Sequence, residues 1–180
     1  MALAYYSGSA DVAPGHGPQE EVGSGPQWQQ TVDRLKAIPH WRRVLSNFYP
    51  SPIQLWDYTF PTAEHAFQAA KFRGYWPATI AKFAYGRDPA TGNLTPPEIG
   101  ATGLNARNGR KLHILDPAQL EVWNSRSRAI MATIRCAKFT QDAHCLMVLK
   151  ATGTTKLIHI RPRQTPLHDV DLERLRVELA

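Results

Sequence analysis

The segment Pro61–Phe72, PTAEHAFQAAKF, constrains the fold of this chain more than any other stretch, because its small and polar residues fall on different sides of one helix. At about 100° per residue, Glu64, Gln68 and Lys71 share one narrow stripe, while Ala63, Ala66, Phe67 and Ala70 form another about a third of a turn away. Thr62 is a candidate N-cap and Pro61 holds the incoming chain extended. Glu64 then sits in the first turn, where the helix dipole favours a carboxylate. One reading is an exposed polar stripe with an ordinary i to i+4 pairing. The alanines favour another: small residues let a helix pack closely on a sheet or a second helix, and the polar stripe of such a helix lines a cleft.

With 180 residues, 43% of them hydrophobic, the chain is long enough for one full core and too short for two comfortable domains. One domain plus an appendage is expected. Nothing approaches the roughly 18 apolar residues in a row needed to cross a bilayer, and the N-terminus lacks a basic region followed by an apolar core and a cleavage site. The expected location is therefore the cytoplasm, with membership of a larger particle as the alternative. Cys136 and Cys145 fall in predicted helices without CxxC spacing, which predicts reduced, buried thiols rather than a redox or zinc site. The net charge of +6 favours anionic partners, either phosphorylated small molecules or nucleic acid.

Ser7–Gln27 is dominated by Gly, Ser, Pro and charge, a composition that cannot by itself bury enough apolar surface to offset the entropy of ordering. Residues 1–27 are therefore read as a Gly/Pro-rich arm lying against its own domain, a second copy or another protein, and residues 28–180 as the domain. Val32, Leu35 and Lys36 predict a short helix that stops near Pro39. Ile53, Leu55 and the aromatics on either side of Asp57 predict two short strands joined by a tight turn, leading directly into the helix of Pro61–Phe72. Gly86–Asn105 reads as a long loop, inserted near 86–105. Asp116-Pro117 starts a helix with Leu120, Trp123, Ile130, Ile134 and Ala137 along one face. A further helix, Gln141–Lys150, ends near Gly153; a strand, Lys156–Ile160, follows. The last helix starts at about Val170, with Leu172, Leu175 and Leu179 inward. The expected class is α+β, a helix-rich single domain with a small β-hairpin or sheet.

Ser46–Phe72, SNFYPSPIQLWDYTFPTAEHAFQAAKF, resembles the signature of the NADAR (YbiA-like) family: a Ser-Asn-Phe turn, a short hairpin, then Pro-Thr-x-Glu-His-x-Phe-Gln-Ala-x-Lys-Phe. The spacing from Asn47 to Glu64 fits without a gap. Ala106-Arg107-Asn108-Gly109-Arg110 resembles the family's Ala-x-x-Gly-Arg segment, and Trp123, Ile130-Met131 and Lys138-Phe139 resemble its Trp, Met and Lys-Phe helix. LKATGTTKLI resembles its closing Leu-x-x-Thr-Gly segment, so the resemblance spans roughly Leu45–Ile158. It implies a helix-rich α+β domain that hydrolyses N-glycosidic bonds, acting on early riboflavin-pathway intermediates or removing ADP-ribose from modified guanine bases. No metal or redox cofactor is implied. Carried over position by position, it makes Glu64 the catalytic carboxylate, Trp123 a residue that stacks on the base or shapes its pocket, and Asn47, Phe48, Gln68, Lys71, Arg107, Gly109 and Arg110 the lining. The implied partner is a phosphorylated ribosyl substrate, free or carried on nucleic acid, with no membrane involved.

The residue types suit that chemistry. Cleaving an N-glycoside builds positive charge on the sugar, which a carboxylate stabilises, and arginine holds a phosphate bidentately. Each assignment also has a plainer reading: Arg110 as a surface cation, Trp123 as core, Asn47 as a turn former and His65 as a structural hydrogen-bonding histidine. The C-terminal region departs from the family pattern of an acid soon after the final strand, then an Asp and a Trp-Gly segment. Here LIHIRPRQTPLHDVD places His159 and Gln164 where acids are expected, with Asp169 and Asp171 as candidate replacements. The leading expectation is an N-glycosidase. The alternative is a catalytically altered subunit of the same fold in a phage particle or multiprotein complex, partnered or self-associated through the arm. A plain nucleic-acid-binding module ranks last, since the sequence shows no recognition helix, aromatic-strand motif or zinc spacing.

Overall fold

The computed structural model describes residues 1–104, 108, 110, 115–161 and 163–179. In chain order they form β1 (Ala2–Tyr5), α1 (Pro26–Lys36), α2 (Trp41–Leu45), β2 (Ile53–Leu55), β3 (Tyr58–Phe60), α3 (Ala63–Ala70) and α4 (Pro77–Ala81). There follow β4 (Gly86–Arg87), β5 (Leu94–Thr95), α5 (Pro117–Gln141), α6 (Ala143–Ala151), β6 (Lys156–His159), β7 (Leu167–His168) and α7 (Val170–Glu178). The class is α+β, as the patterning predicts. Two compact units result, one from Met1–Tyr49 with Asp142–Ala180 and one from Pro50–Gln141.

The Pro50–Gln141 unit is built around α3. Its hairpin pairs Ile53 with Phe60, Gln54 with Thr59 and Leu55 with Tyr58. The turn residues Trp56 and Asp57 both have left-handed φ, 52° and 66°, the two-residue turn whose twist matches the flanking strands. The side chain of Gln141, at the end of α5, acts as a partner strand for β2: its Oε1 accepts from Gln54 N–H at 2.8 Å and its Nε2 donates to Gln54 O at 3.0 Å. At the other end of α5, Asp116 and Gln119 exchange side-chain-to-backbone bonds of 2.8 and 3.1 Å, a capping box around Pro117.

Ile53, Phe60, Ala63, Ala66 and Ala69 of α3, Phe83, Ile99 and Ile134 close the core of this unit. Of the predicted loop, residues 86–104 lie within the described residues and are more ordered than a long loop. β4 and β5 pair antiparallel, and Ile99 is buried in the core while its N–H donates to Lys82 O at 2.9 Å. On α5, the packed face begins at Trp123, so Leu120 stays exposed. Cys136 is exposed as well, against the expectation of two buried thiols: Ile134, Ala137 and Lys138 take the inner side of the helix, and position 136 falls opposite Ile134.

In the other unit the sheet order is β1-β6-β7. β1 lies parallel to β6, in register from Ala2 with Lys156 to Tyr5 with His159, and all four of its residues are buried. No strand is expected there from sequence, since Ala-Leu-Ala-Tyr has weak local β-propensity and is ordered by a strand from the opposite end of the chain. The two-residue β7 is equally invisible to periodicity. Leu3, Trp41, Val44, Leu45, Val148, Leu149, Leu157 and Leu172 form the buried interior, and Cys145 joins them as expected. Leu179, expected to face inward, is only half-buried at the C-cap of α7.

The Gly/Pro-rich segment after β1 is ordered by one ion pair. Arg42 donates to Glu20 from Nε at 2.8 Å and from Nη2 at 2.7 Å, and to the carbonyls of Val12 and Ala13 at 2.6 and 3.0 Å. Glu20 also accepts from the N–H groups of Ala4, Gly15 and Gly17. The two side chains are 3% and 0% exposed, so the pair is stable only because its geometry is bidentate and its remaining hydrogen-bonding capacity is used. The same contacts cover the outer edge of β1: Ala2 pairs with Glu21, Ala4 donates to Glu20, and Tyr6 N–H donates to Ser9 Oγ. Arg42→Met, which keeps the stem but strands a buried carboxylate, is expected to lower stability by roughly 3–5 kcal/mol. Adding Glu20→Gln should recover part of that loss. Urea denaturation of the single and double variants checks both.

Candidate active site

The site starts from how α3 is entered and packed. Thr62 is extended, with φ −147° and ψ 162°, and its side chain caps the helix by accepting from His65 N–H at 3.2 Å. Ala63, Ala66, Ala69 and Ala70 are buried, so the backbone of α3 lies close to its neighbours. Glu64, Phe67, Gln68 and Lys71 remain half-buried along the other side.

Three of these form a hydrogen-bonded line. Gln68 Nε2 donates to Glu64 Oε1 at 2.8 Å, and Lys71 Nζ donates to Gln68 Oε1 at 2.7 Å. Lysine only donates and a carboxylate only accepts, so the amide fits in one orientation. The stripe predicted from sequence is therefore a connected array rather than three separate surface groups. Trp123, 8% exposed, forms a wall: the Phe67 ring packs on it at 4.9 Å between centroids, and Lys71 Nζ lies 5.7 Å from the centre of its ring, within cation–π range. Phe67 packs against the core that holds the α3 alanines, as read from sequence, and its ring also meets Trp123 at the edge of the polar line. Sequence spacing on α3 alone carries no sign of this contact, because Trp123 lies on another helix.

His65 faces away from this chemistry. Its Nδ1 is 2.9 Å from Thr62 Oγ1, and burial lowers its pKa from the ordinary 6.5 to about 4, so it is neutral near pH 7. This is the structural histidine that the plainer reading expects.

The other sequence-derived positions are less concentrated. Arg110 is exposed, with its N–H donating to Asn108 Oδ1 at 3.0 Å, while Arg107 and Gly109 lie outside the described residues. Asn47 is half-buried and Phe48 exposed in the unit that contains both termini, where Ser46 Oγ accepts from Phe48 N–H to shape the turn. In that same unit His159 stacks on Tyr5, with ring centroids 5.0 Å apart. Asp169 caps α7 through Leu172 N–H and accepts from the Tyr5 hydroxyl, so its carboxylate is already engaged; Asp171 sits in the first turn of α7. Gln164 is exposed.

Chemically, a carboxylate aligned by an amide, a cation one turn further along and an aromatic wall suit a sugar that develops positive charge beside an anionic group. Among the described residues no group of three or more His, Cys, Asp or Glu has the arrangement of a metal site. None of their helices is long and apolar enough to cross a membrane.

Comparison with known proteins finds one domain family and a similar solved structure. The NADAR domain profile matches residues 36–165, a span that includes Glu64, Gln68, Lys71 and Trp123. The NMR structure of the E. coli protein YbiA is similar, with a TM-score of 0.50 and 25% sequence identity over 77% of this chain and 76% of that one. No curated protein sequence matches the chain.

The lowered pKa of His65 gives the fold a pH dependence with a definite sign. The unfolded chain binds this proton more readily, so the contribution is complete above pH 6.5 and is lost as pH falls from there toward about 4. His65→Asn, which retains a polar partner for Thr62, is expected to flatten the stability profile across that window. Urea midpoints measured over the same pH range check it.

Proposed function

Because the chain belongs to the NADAR domain family of N-glycosidase-like hydrolases, we propose that it cleaves the N-glycosidic bond of a phosphorylated ribosyl substrate, either an ADP-ribosylated guanine base or a phosphoribosyl-type metabolite. The observation that carries this reading is the hydrogen-bonded line Glu64–Gln68–Lys71 against the Trp123 wall. Breaking the bond from C1′ to the base nitrogen builds positive charge on the ribose. The Glu64 carboxylate stabilises that charge and accepts a proton from the attacking water, whose oxygen becomes the new C1′ hydroxyl. The base departs with the bonding electron pair and takes up the proton that Glu64 received from water, which returns Glu64 to its carboxylate form. Gln68 holds Glu64 in register, Lys71 supplies positive charge toward the substrate's anionic part, and Trp123 shapes the side of the pocket. Arg110, which is exposed, offers a guanidinium to the phosphate. Asn47, Phe48, Arg107 and Gly109 join the lining on the family resemblance alone.

One observation favours a second reading, a catalytically altered subunit of a larger assembly. His159 and Gln164 replace expected acids, and the nearest alternative, Asp169, is engaged as a helix cap. The arm adds little to that reading, since Glu20 and Arg42 account for its order within its own unit.

The test is release of ADP-ribose from an ADP-ribosylated guanine oligonucleotide, followed by mass spectrometry, with riboflavin-pathway intermediates assayed in parallel. The wild type is expected to turn over one of them. Glu64→Gln should lose roughly a hundredfold or more while its circular dichroism and melting temperature stay unchanged. A wild type inert toward both substrate classes transfers the case to the assembly reading.

A further inference from the structure

Gly103 closes a short turn in which its N–H donates to Gly100 O and Gly100 N–H donates to Leu104 O, both at 2.9 Å. A Cβ at this position would stand 3.1 Å from Gln68 Oε1 and 3.7 Å from Gln68 Cδ. An untethered glutamine would swing aside at little cost. This one is held at both ends of its amide, by Glu64 at 2.8 Å and by Lys71 at 2.7 Å, so a shift of a few tenths of an ångström lengthens or bends one of those bonds. We propose that Gly103 is a positioning residue: the absence of its side chain lets the turn lie on Gln68 while the amide stays in line between Glu64 and Lys71. The catalytic consequence rests on the N-glycosidase reading; the contact itself does not.

A glycine here also has an ordinary explanation, because φ is +76°. Gly92 separates the two. Its φ is +70°, yet nothing lies within 4 Å of a Cβ built on it, so Gly92→Ala carries a similar backbone penalty without touching the site.

The experiment compares Gly103→Ala, Gly92→Ala, Gln68→Ala and the double variant Gly103→Ala/Gln68→Ala in the full chain. The first readout is the side-chain amide resonances of Gln68 in ¹⁵N–¹H NMR, identified by their loss in Gln68→Ala. Gly103→Ala is expected to shift them and Gly92→Ala to leave them in place. The second readout is turnover. Gly103→Ala should lower kcat by roughly tenfold with KM little changed, Gly92→Ala should not, and Gly103→Ala should add no loss in the Gln68→Ala background. If Gly103→Ala unfolds the chain, Gln68→Ala is expected to restore its melting temperature by making room. Unmoved Gln68 resonances, a Gly103→Ala loss that is the same with and without the Gln68 side chain, or no rescue by Gln68→Ala overturns the positioning role. A wild type without turnover counts against the glycosidase reading only, because the resonance readout still decides Gly103.

Discussion

The close approach permitted by the alanine face of α3 is the constraint on which the Pro50–Gln141 unit depends. Ala63, Ala66 and Ala69 have no exposed surface, so a larger side chain at any of them has no room without moving the helix. Glu64, Gln68 and Lys71 ride on that helix, and their mutual distances follow from its geometry. Their setting follows from what packs around it: α5 brings Trp123, and the turn at Gly103 reaches Gln68. The ends of α5 are fixed by the Asp116–Gln119 capping box and by the Gln141 clamp on Gln54. Small residues on one side of α3 thus do as much for the site as polar residues on the other.

The chain uses polar burial in two ways. In the α3 line the groups are half-buried and bridged by a neutral amide, which leaves the carboxylate partly exposed. In Glu20–Arg42 the charges are sealed from water and used to organise backbone. The second arrangement explains how a segment too poor in apolar residues to order itself becomes part of a folded unit. It also removes the need for an outside partner to account for that order. The case for an assembly role then rests on the altered C-terminal residues, where His159 and Asp169 serve packing and capping.

What was legible in the sequence is what local chemistry determines. The Thr62 cap, the two faces of α3, the hairpin around Trp56-Asp57 and the start of α5 at Pro117 each follow from residues within a few positions of one another. What was not legible depends on distant partners. β1 exists because β6 lies beside it, Glu20 is ordered by Arg42, and the contact of Phe67 with Trp123 joins two helices. The exposure of Leu120 and Cys136 depends on where the packed face of α5 begins and which way it turns. Gly103 carries no local signal beyond its permissive backbone, and its neighbour Gln68 lies on another element. Family resemblance named Glu64 and its companions, while the geometry of α3 supplied a physical reason for their grouping.

Whether the Glu64–Gln68–Lys71 face is a ligand site rather than helix decoration is decided by an NMR titration of the full chain with ADP-ribose and, separately, ribose 5-phosphate. Saturable shifts are expected on the side-chain amide of Gln68, the backbone of Glu64 and Lys71, and the indole N–H of Trp123. Saturable shifts elsewhere that leave these groups unmoved, or no saturable shifts with either ligand, would contradict a ligand site on that face.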